Sequence, residues 1–301
     1  MRTTINQGEV IPVSPDVVVE TQQRQRIGTI LVQAGHLTLE TAERILKLQH
    51  QTGLRFGEAG IQLGLLTQDD VDFALARQFD CPYLTPGTSK VSEKVAAAYA
   101  PPFSPQLRAL GTLRGQLMLQ WFDSDPPHKA LAIISAERGE GRSFITSNLA
   151  VSFAQLGRKT LLIDADLRNP CQQVLFGLNN RNGLSTILSG RGESEALMRR
   201  IPGLPSLFVL PAGPLPPNPV EVLARPPFGK LLEQLAREFE VILLDSPSAA
   251  EHPEAQTVAV RAGAAIIVAR KNYTRMWRMR GVSDQVTHAR TTILGTVLND
   301  F

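Results

Sequence analysis

From residue 130 onward the chain alternates short, unbroken apolar runs with longer stretches of helical period. The runs are Ala130–Ile134, Thr160–Ile163, Leu207–Leu210, Val241–Leu244, Ala265–Ala269 and Ile293–Leu298. They are continuous in hydrophobicity rather than alternating, as in strands buried on both faces of a parallel sheet. With helices between them, the pattern predicts an α/β fold with a doubly wound, mostly parallel sheet. Just ahead, Leu107, Leu110, Leu113, Leu117 and Trp121 recur at helical spacing and predict a helix over Gln106–Trp121.

The first third of the chain follows another rule. Residues 26–49 and 55–78 are an internal repeat offset by 29 positions, pairing Arg26 with Arg55, Gly28 with Gly57, Gly35 with Gly64, Leu37 with Leu66, Thr38 with Thr67 and Gln49 with Gln78. Each unit reads as helix, glycine stop, threonine N-cap and second helix. Glu40 and Asp69–Asp70 supply first-turn acids where the helix dipole favours them. The organisation expected is a polar tail over 1–24, a small helical tandem-repeat domain over 25–84, a proline-bearing linker over 85–104 and the α/β domain over 105–301.

Composition narrows the field. The 301 residues are 43% hydrophobic and 20% charged, enough apolar mass for a packed core. No run of 18 apolar residues suggests a bilayer span, and the N-terminus lacks the apolar stretch of a secretory signal. Cys81 and Cys171 have no metal-type spacing, so a reducing cytoplasm is expected and a structural zinc site is not. The net charge of +3 is too mild to imply nucleic-acid binding.

The candidate chemistry lies after the first apolar run, in Ser135-Ala136-Glu137-Arg138-Gly139-Glu140-Gly141-Arg142-Ser143. A glycine-containing loop between a strand and a helix N-terminus can cradle phosphate with backbone N–H groups. Ser143 would offer its hydroxyl to Mg2+. Arg142 stands where a phosphate loop usually carries Lys; it keeps a permanent positive charge but is planar and bulkier. Taken alone, the stretch fits a plain strand-to-helix turn equally well. Two further strands end in carboxylates, Thr160-Leu-Leu-Ile-Asp164-Ala-Asp166-Leu-Arg168 and Val241-Ile-Leu-Leu-Asp245-Ser-Pro247. C-terminal ends of neighbouring parallel strands line one crevice, so Asp164, Asp166 and Asp245 are expected to converge on the phosphates and metal held by the loop.

These three motifs, with Gly183-Leu-Ser-Thr-Ile-Leu-Ser-Gly190 and Pro217-Asn-Pro-Val-Glu-Val-Leu223, resemble the bacterial tyrosine kinases of polysaccharide synthesis over roughly residues 105–301. The resemblance implies an ATP-dependent protein-tyrosine kinase that regulates exopolysaccharide polymerisation, chain length and export. ATP would contact Gly139, Glu140, Gly141, Arg142, Ser143 and Phe144, and Mg2+ would be held by Ser143, Asp164 and Asp245. Asp164, Asp166, Arg142 and Asp245 would be catalytic, with Asp166 as general base. The implied partner is a membrane chain-length determinant, which would hold a cytoplasmic protein at the inner membrane. Departures keep two other readings open, an ATP-binding pseudokinase and a MinD-like ATPase; Glu137 stands where MinD-like ATPases place their signature Lys. The helix Arg108–Arg114 lacks the family's ring-forming Glu and central Arg, leaving self-association open. With only Tyr83, Tyr99 and Tyr273, the chain also lacks the family's tyrosine-rich tail. The repeat, in turn, resembles the MshEN-like tandem motif of type II secretion ATPases. That resemblance implies cyclic di-GMP binding through Arg26, Gly28, Gly35, Arg55, Gly57 and Gly64, against the alternative of a plain helical docking domain. Finally, the basic stretch Arg270–Arg280 reads either as a solvated surface or as a docking site for an anionic partner or membrane.

Overall fold

A computed structural model of the chain describes residues 26–78, 83–84, 87–99 and 104–300. The tail expected over 1–24, Cys81 and parts of the expected linker lie outside these.

The helical repeat forms α1 (Ile27–Gln33), α2 (Leu39–Thr52), α3 (Phe56–Gln62) and α4 (Gln68–Gln78). Gly35 and Gly64 adopt φ of +78° and +66° after α1 and α3, a conformation glycine reaches without Cβ strain. Thr38 caps α2 by accepting the Thr41 N–H at 3.2 Å, and Thr67 accepts the Asp70 N–H at 3.2 Å. Ile30, Leu31, Ile45, Ala59 and Ala74 close a small core of their own.

Residues 91–99, placed in the expected linker, are part of the second unit. Val91, Val95, Ala97 and Ala98 are buried in its core, with α5 (Ala96–Tyr99) beside the helix that follows the glycine loop. The Ala97 N–H donates to Asn148 Oδ1 at 2.7 Å. α6 (Pro105–Leu117) starts at a Ser104 cap with Pro105 at its first position. The expected continuation to Trp121 becomes a π turn, Met118–Phe122, in which the Trp121 indole donates to the Ala130 carbonyl at 2.8 Å.

The sheet comprises β1 (Ala130–Ser135), β2 (Thr160–Asp164), β3 (Arg199–Ile201), β4 (Leu204–Leu210), β5 (Val241–Asp245), β6 (Ala264–Arg270) and β7 (Thr292–Asn299). Around it run α7 (Arg142–Gln155), α8 (Gln172–Leu175), α9 (Leu184–Leu188), α10 (Ser194–Leu197), α11 (Pro219–Ala224), α12 (Pro226–Leu235), α13 (Glu254–Ala262) and α14 (Met276–His288). The strand order is β3-β4-β2-β5-β1-β6-β7, parallel except for β3. All six expected strands form. β3 is an addition: three residues led by two exposed arginines give no apolar run to read, and charges of this kind protect a sheet edge.

Continuous apolar strands are explained by how the sheet is covered. Leu131, Ile133, Leu162, Leu243 and Ile266 point into one core layer, while Ala132, Ile134, Leu161, Ile163 and Ile242 point into the other. With the period-2 alternation of strand side chains, both faces are dry. The C-terminal ends of β1, β2 and β5 therefore emerge together at one rim.

Candidate active site

At that rim β1 delivers the chain into the glycine loop. Gly139 and Gly141 take φ of +81° and +92°, and Gly141 is the N-cap of α7. The loop is fixed from inside by Glu140, which is fully buried. Its Oε2 accepts the Glu137 N–H at 2.8 Å, its other oxygen accepts the Thr274 hydroxyl, and its carbonyl accepts Asn299 Nδ2 at 3.1 Å. Glu140 thus braces the loop with its side chain. A cleft of about 260 Å3 opens in front, lined by residues 138–144 together with Asp166, Asn169, Cys171, Ser248, Glu251 and His252.

Arg142 lines this cleft but directs its guanidinium inward. Nε donates to the Ser246 carbonyl at 2.5 Å, Nη1 donates to the Ser135 hydroxyl, and Nη2 lies 3.8 Å from Asp166 Oδ2. The planar fork therefore links the ends of β1 and β5 to the turn after β2. A Lys ammonium, whose three donors share one nitrogen, could not span these three separate partners.

Asp164 and Asp245 are register partners on β2 and β5, and both are fully buried. Asp164 Oδ2 accepts the Cys171 and Gln172 N–H groups, each at 2.9 Å, and Oδ1 accepts the Asp166 N–H at 3.2 Å. Asp245 Oδ2 accepts Gln172 Nε2 at 2.7 Å and Oδ1 accepts the Thr146 hydroxyl at 3.5 Å. The Ser143 hydroxyl also bonds Asp245. Burial pushes the Asp164 carboxyl well above the usual carboxylate range, and the neighbouring Asp245 charge pushes it further. Burial raises Asp245 too, against the opposing pull of Arg142. Two desolvated carboxylates side by side are costly as anions until a cation joins them, and with the Ser143 hydroxyl they are hard oxygen donors of the kind Mg2+ takes. The donor set therefore fits the metal the sequence suggested.

The three carboxylates meet at one rim, with Asp166 lining the cleft and its charge acting on Asp164 and Asp245, but they do not gather into one metal cluster. Among the described residues no group of three or more His, Cys, Asp or Glu side chains is placed to hold a metal. Asp166 is turned aside, its Oδ1 accepting the Asn169 N–H at 2.9 Å and its Oδ2 facing Arg142. Two residues beyond the paired strand, the turn dictates its direction. Mg2+ held by Ser143, Asp164 and Asp245 would take its other ligands from phosphate and water, which suits its reluctance to shed water.

Three participants escaped the sequence reading. Thr146 lies one turn into α7 and could have been suspected from its spacing to Arg142. Cys171 and Gln172 carry no motif, yet their amides hold Asp164, and Gln172 Nε2 also reaches the Ser143 carbonyl at 3.2 Å. Gln172 Oε1 is buried without a hydrogen-bond partner, leaving one acceptor open beside the loop.

In the repeat, a groove of about 950 Å3 is lined by Arg26, Gly28, Gln49 and Gln78 over an apolar floor that includes Leu54 and Phe56. Gly28 lets the Phe56 ring approach to 3.0 Å from where a Cβ would stand, and Gly57 does the same for Val71 at 2.7 Å. The structure brings Arg26 and Gly28 to the groove. Gly57 goes to helix packing, Gly35 and Gly64 to helix ends, and Arg55 to the start of α3, where its N–H donates to Glu58 Oε2 at 2.9 Å.

Known proteins resemble this chain in sequence and fold. The chain is 31% identical to tyrosine-protein kinase YwqD of Bacillus subtilis over 181 residues, 60% of this chain and 76% of that protein. It is 31% identical to tyrosine-protein kinase ptk of Acinetobacter johnsonii over 193 residues, 64% of this chain but 26% of that relative's length. Among solved structures, the kinase domain of Escherichia coli tyrosine kinase ETK matches with a TM-score of 0.66 at 28% identity, over 72% of this chain and 83% of that one. The septum site-determining protein MinD of Pyrococcus horikoshii, solved with Mg-ADP, matches at 0.51 and 23% identity, over 57% of this chain and 70% of that one, a likeness of fold alone. No protein-family model matches the chain.

Proposed function

Because this chain belongs to the bacterial tyrosine-protein kinases, we propose that it transfers the γ-phosphoryl group of Mg–ATP to a protein tyrosine and so regulates exopolysaccharide polymerisation, chain length and export. The observation that carries the reading is the buried Asp164–Asp245 pair beside Ser143, set at the N-terminus of α7 where the glycine loop turns. Phosphoryl transfer depends mostly on positioning and charge neutralisation, and this rim provides both.

Each residue then has a task. Backbone N–H groups of Gly139–Ser143 and the positive end of α7 hold the phosphates, and Phe144 borders the nucleotide cleft. Ser143, Asp164 and Asp245 hold Mg2+, which when bound neutralises the charge spread over the phosphate oxygens. Thr146 and Gln172 orient Asp245. Asp166, aligned by the Asn169 N–H, accepts the proton of the attacking tyrosyl hydroxyl, and Arg142 places a permanent cation beside it. The activating partner is a membrane chain-length determinant whose cytoplasmic segment keeps the kinase at the membrane. Among the described residues no helix is long and apolar enough to cross a membrane.

The test is phosphotyrosine formation from labelled ATP and Mg2+, with and without the partner's cytoplasmic segment, using Asp164→Ala as the blank. The expected result is label on tyrosine, reduced about 100-fold or more in the variant. ATP bound but neither hydrolysed nor transferred, in both the parent and Arg142→Lys, favours the pseudokinase reading.

A second reading concerns the repeat. Its groove takes a cyclic dinucleotide such as cyclic di-GMP, with Arg26 on a phosphate or guanine edge and the Phe56 side of the floor against a base. Calorimetric titration with cyclic di-GMP, with Arg26→Ala as control, decides it; no heat in the parent protein leaves the repeat as a docking domain.

A further inference from the structure

Residues 270–280 leave β6, turn through Asn272 with φ of +58° and open α14 at Met276. They carry five basic side chains and no acid. They also expose large apolar groups: Tyr273 is 49% exposed, Trp277 66% and Met276 71%. Leu298 of the edge strand β7, 65% exposed and in register with Ala269, adds a fourth at the same end of the sheet.

This face is held rigidly. The Tyr273 hydroxyl donates to the Arg138 carbonyl at 3.2 Å and Arg270 Nη1 donates to the Gly139 carbonyl at 3.3 Å. Thr274 bonds Glu140, and Arg278 pairs with Glu137 at 2.5 Å. Behind it, Val282 and Val286 are buried and Met279 packs against the core. The exposed Met276 and Trp277 thus stand on a helix start pinned to the glycine loop and the sheet.

Two acids beside the face are engaged, Glu137 by Arg278 and Asp300 by Lys271 at 2.7 Å, and Asp284 is exposed one turn past Arg280 on α14. Arg275 and Arg280 are exposed, and no hydrogen bond or ion pair ties their side chains among the described residues. Free guanidinium groups flanking an indole and a thioether form the composition that settles at a lipid interface. There the ring lies at headgroup depth and the cations reach lipid phosphates along their apolar stems. An acidic protein segment would satisfy the cations, but it would leave Trp277 and Met276 in water unless it brought a matching apolar pocket.

We propose that the 270–280 face docks the chain directly onto an anionic phospholipid surface, with Met276 and Trp277 entering the headgroup–acyl boundary and Arg275 and Arg280 on lipid phosphates. This attachment is the chain's own and does not rest on the kinase reading or on a membrane partner.

The test is co-sedimentation of the full chain with vesicles of phosphatidylcholine alone or mixed with phosphatidylglycerol, at about 0.1 M salt. The expected result is binding to the mixed vesicles only, weakened as salt rises. Arg275→Gln with Arg280→Gln should weaken it about 30-fold, and Trp277→Ala about tenfold. Fluorescence gives a second readout: the other tryptophan, Trp121, is buried. A blue shift on adding vesicles should therefore vanish in Trp277→Ala, with the thermal melting of that variant unchanged. No binding, equal binding to both vesicles, or undiminished binding in the double variant overturns the proposal. So does self-association without vesicles that disappears in Trp277→Ala, which would make the face a contact between copies.

Discussion

Leu161, Leu162 and Ile163 of β2 have no exposed surface, whereas Leu39, Leu46 and Ile61 of the helical repeat remain 73%, 44% and 40% exposed. A strand inside a doubly covered sheet loses both faces to protein. A helix in a four-helix unit with a longest member of 14 residues can hide only one stripe. The polar chemistry follows the same division. At the sheet's rim Asp164 and Asp245 are fully buried and depend on neighbouring donors for every bond. In the repeat, Thr38, Thr67 and Asp70 make their bonds at the surface, where water competes. A deep, dry rim can build strong fixed charges for chemistry. A thin helical unit is better suited to a groove whose shape depends on glycines letting helices approach, as Gly28 does for Phe56.

Two glycine substitutions test that contrast most strongly. A Cβ on Gly183 would lie 2.1 Å from the Pro211 carbonyl oxygen and 2.5 Å from the Gly213 nitrogen, backbone atoms that cannot retreat. Gly183→Ala is expected to cost about 3 kcal/mol or more and to lower the melting of the α/β unit by calorimetry. A Cβ on Gly60 would lie 2.4 Å from Leu66 Cδ1, the far end of a side chain that can rotate away. Gly60→Ala is expected to cost about 1 kcal/mol and to shift only a separate, repeat-derived transition. One shared transition moving by equal amounts would break the comparison.

A smaller effect concerns the thiol at the rim. Burial pushes the Cys171 thiol up, and the Asp245 and Asp164 charges push it further, so it stays protonated through pH 8. Alkylation by iodoacetamide in the folded protein should be about tenfold or more slower than in urea. Rapid labelling without denaturant would show the rim to be wetter than its buried carboxylates indicate.

The smallest effect lies in the repeat. Burial acts to raise the Asp70 carboxyl, but the Thr67 hydroxyl and N–H at 2.6 and 2.8 Å, with His36 at 2.5 Å, together bring it below its ordinary value. An unfolded chain would protonate that carboxyl more readily. The stabilisation is therefore present above the ordinary carboxylate value and is lost as pH falls through the lower folded one. For a half-buried carboxyl that water still reaches, the effect should be a few tenths of a kcal/mol. Melting of the repeat in Asp70→Asn should be correspondingly less sensitive to acid between about pH 5 and pH 3.

Much of this molecule could be read along the chain, because the signals are local. Six apolar runs became six strands, most of them inside the covered sheet and the last, β7, at an exposed edge, and the 29-residue offset of the repeat reappears as two helix pairs whose first helices end at Gly35 and Gly64. The glycine loop lay where β1 met α7, and Asp164 and Asp245 closed β2 and β5 as their apolar runs implied. The folded chain alone decided how these ends meet. It set Asp166 against the Asn169 N–H and Arg142, and tied Arg142 to the Ser246 carbonyl across 104 positions. It brought the unmarked Cys171 and Gln172 onto Asp164, and set residues 91–99 into the core. Periodicity is set by a residue's immediate neighbours and survives in the sequence. A hydrogen bond between distant segments depends on side-chain direction at the end of a strand, and only the packed sheet specifies that direction.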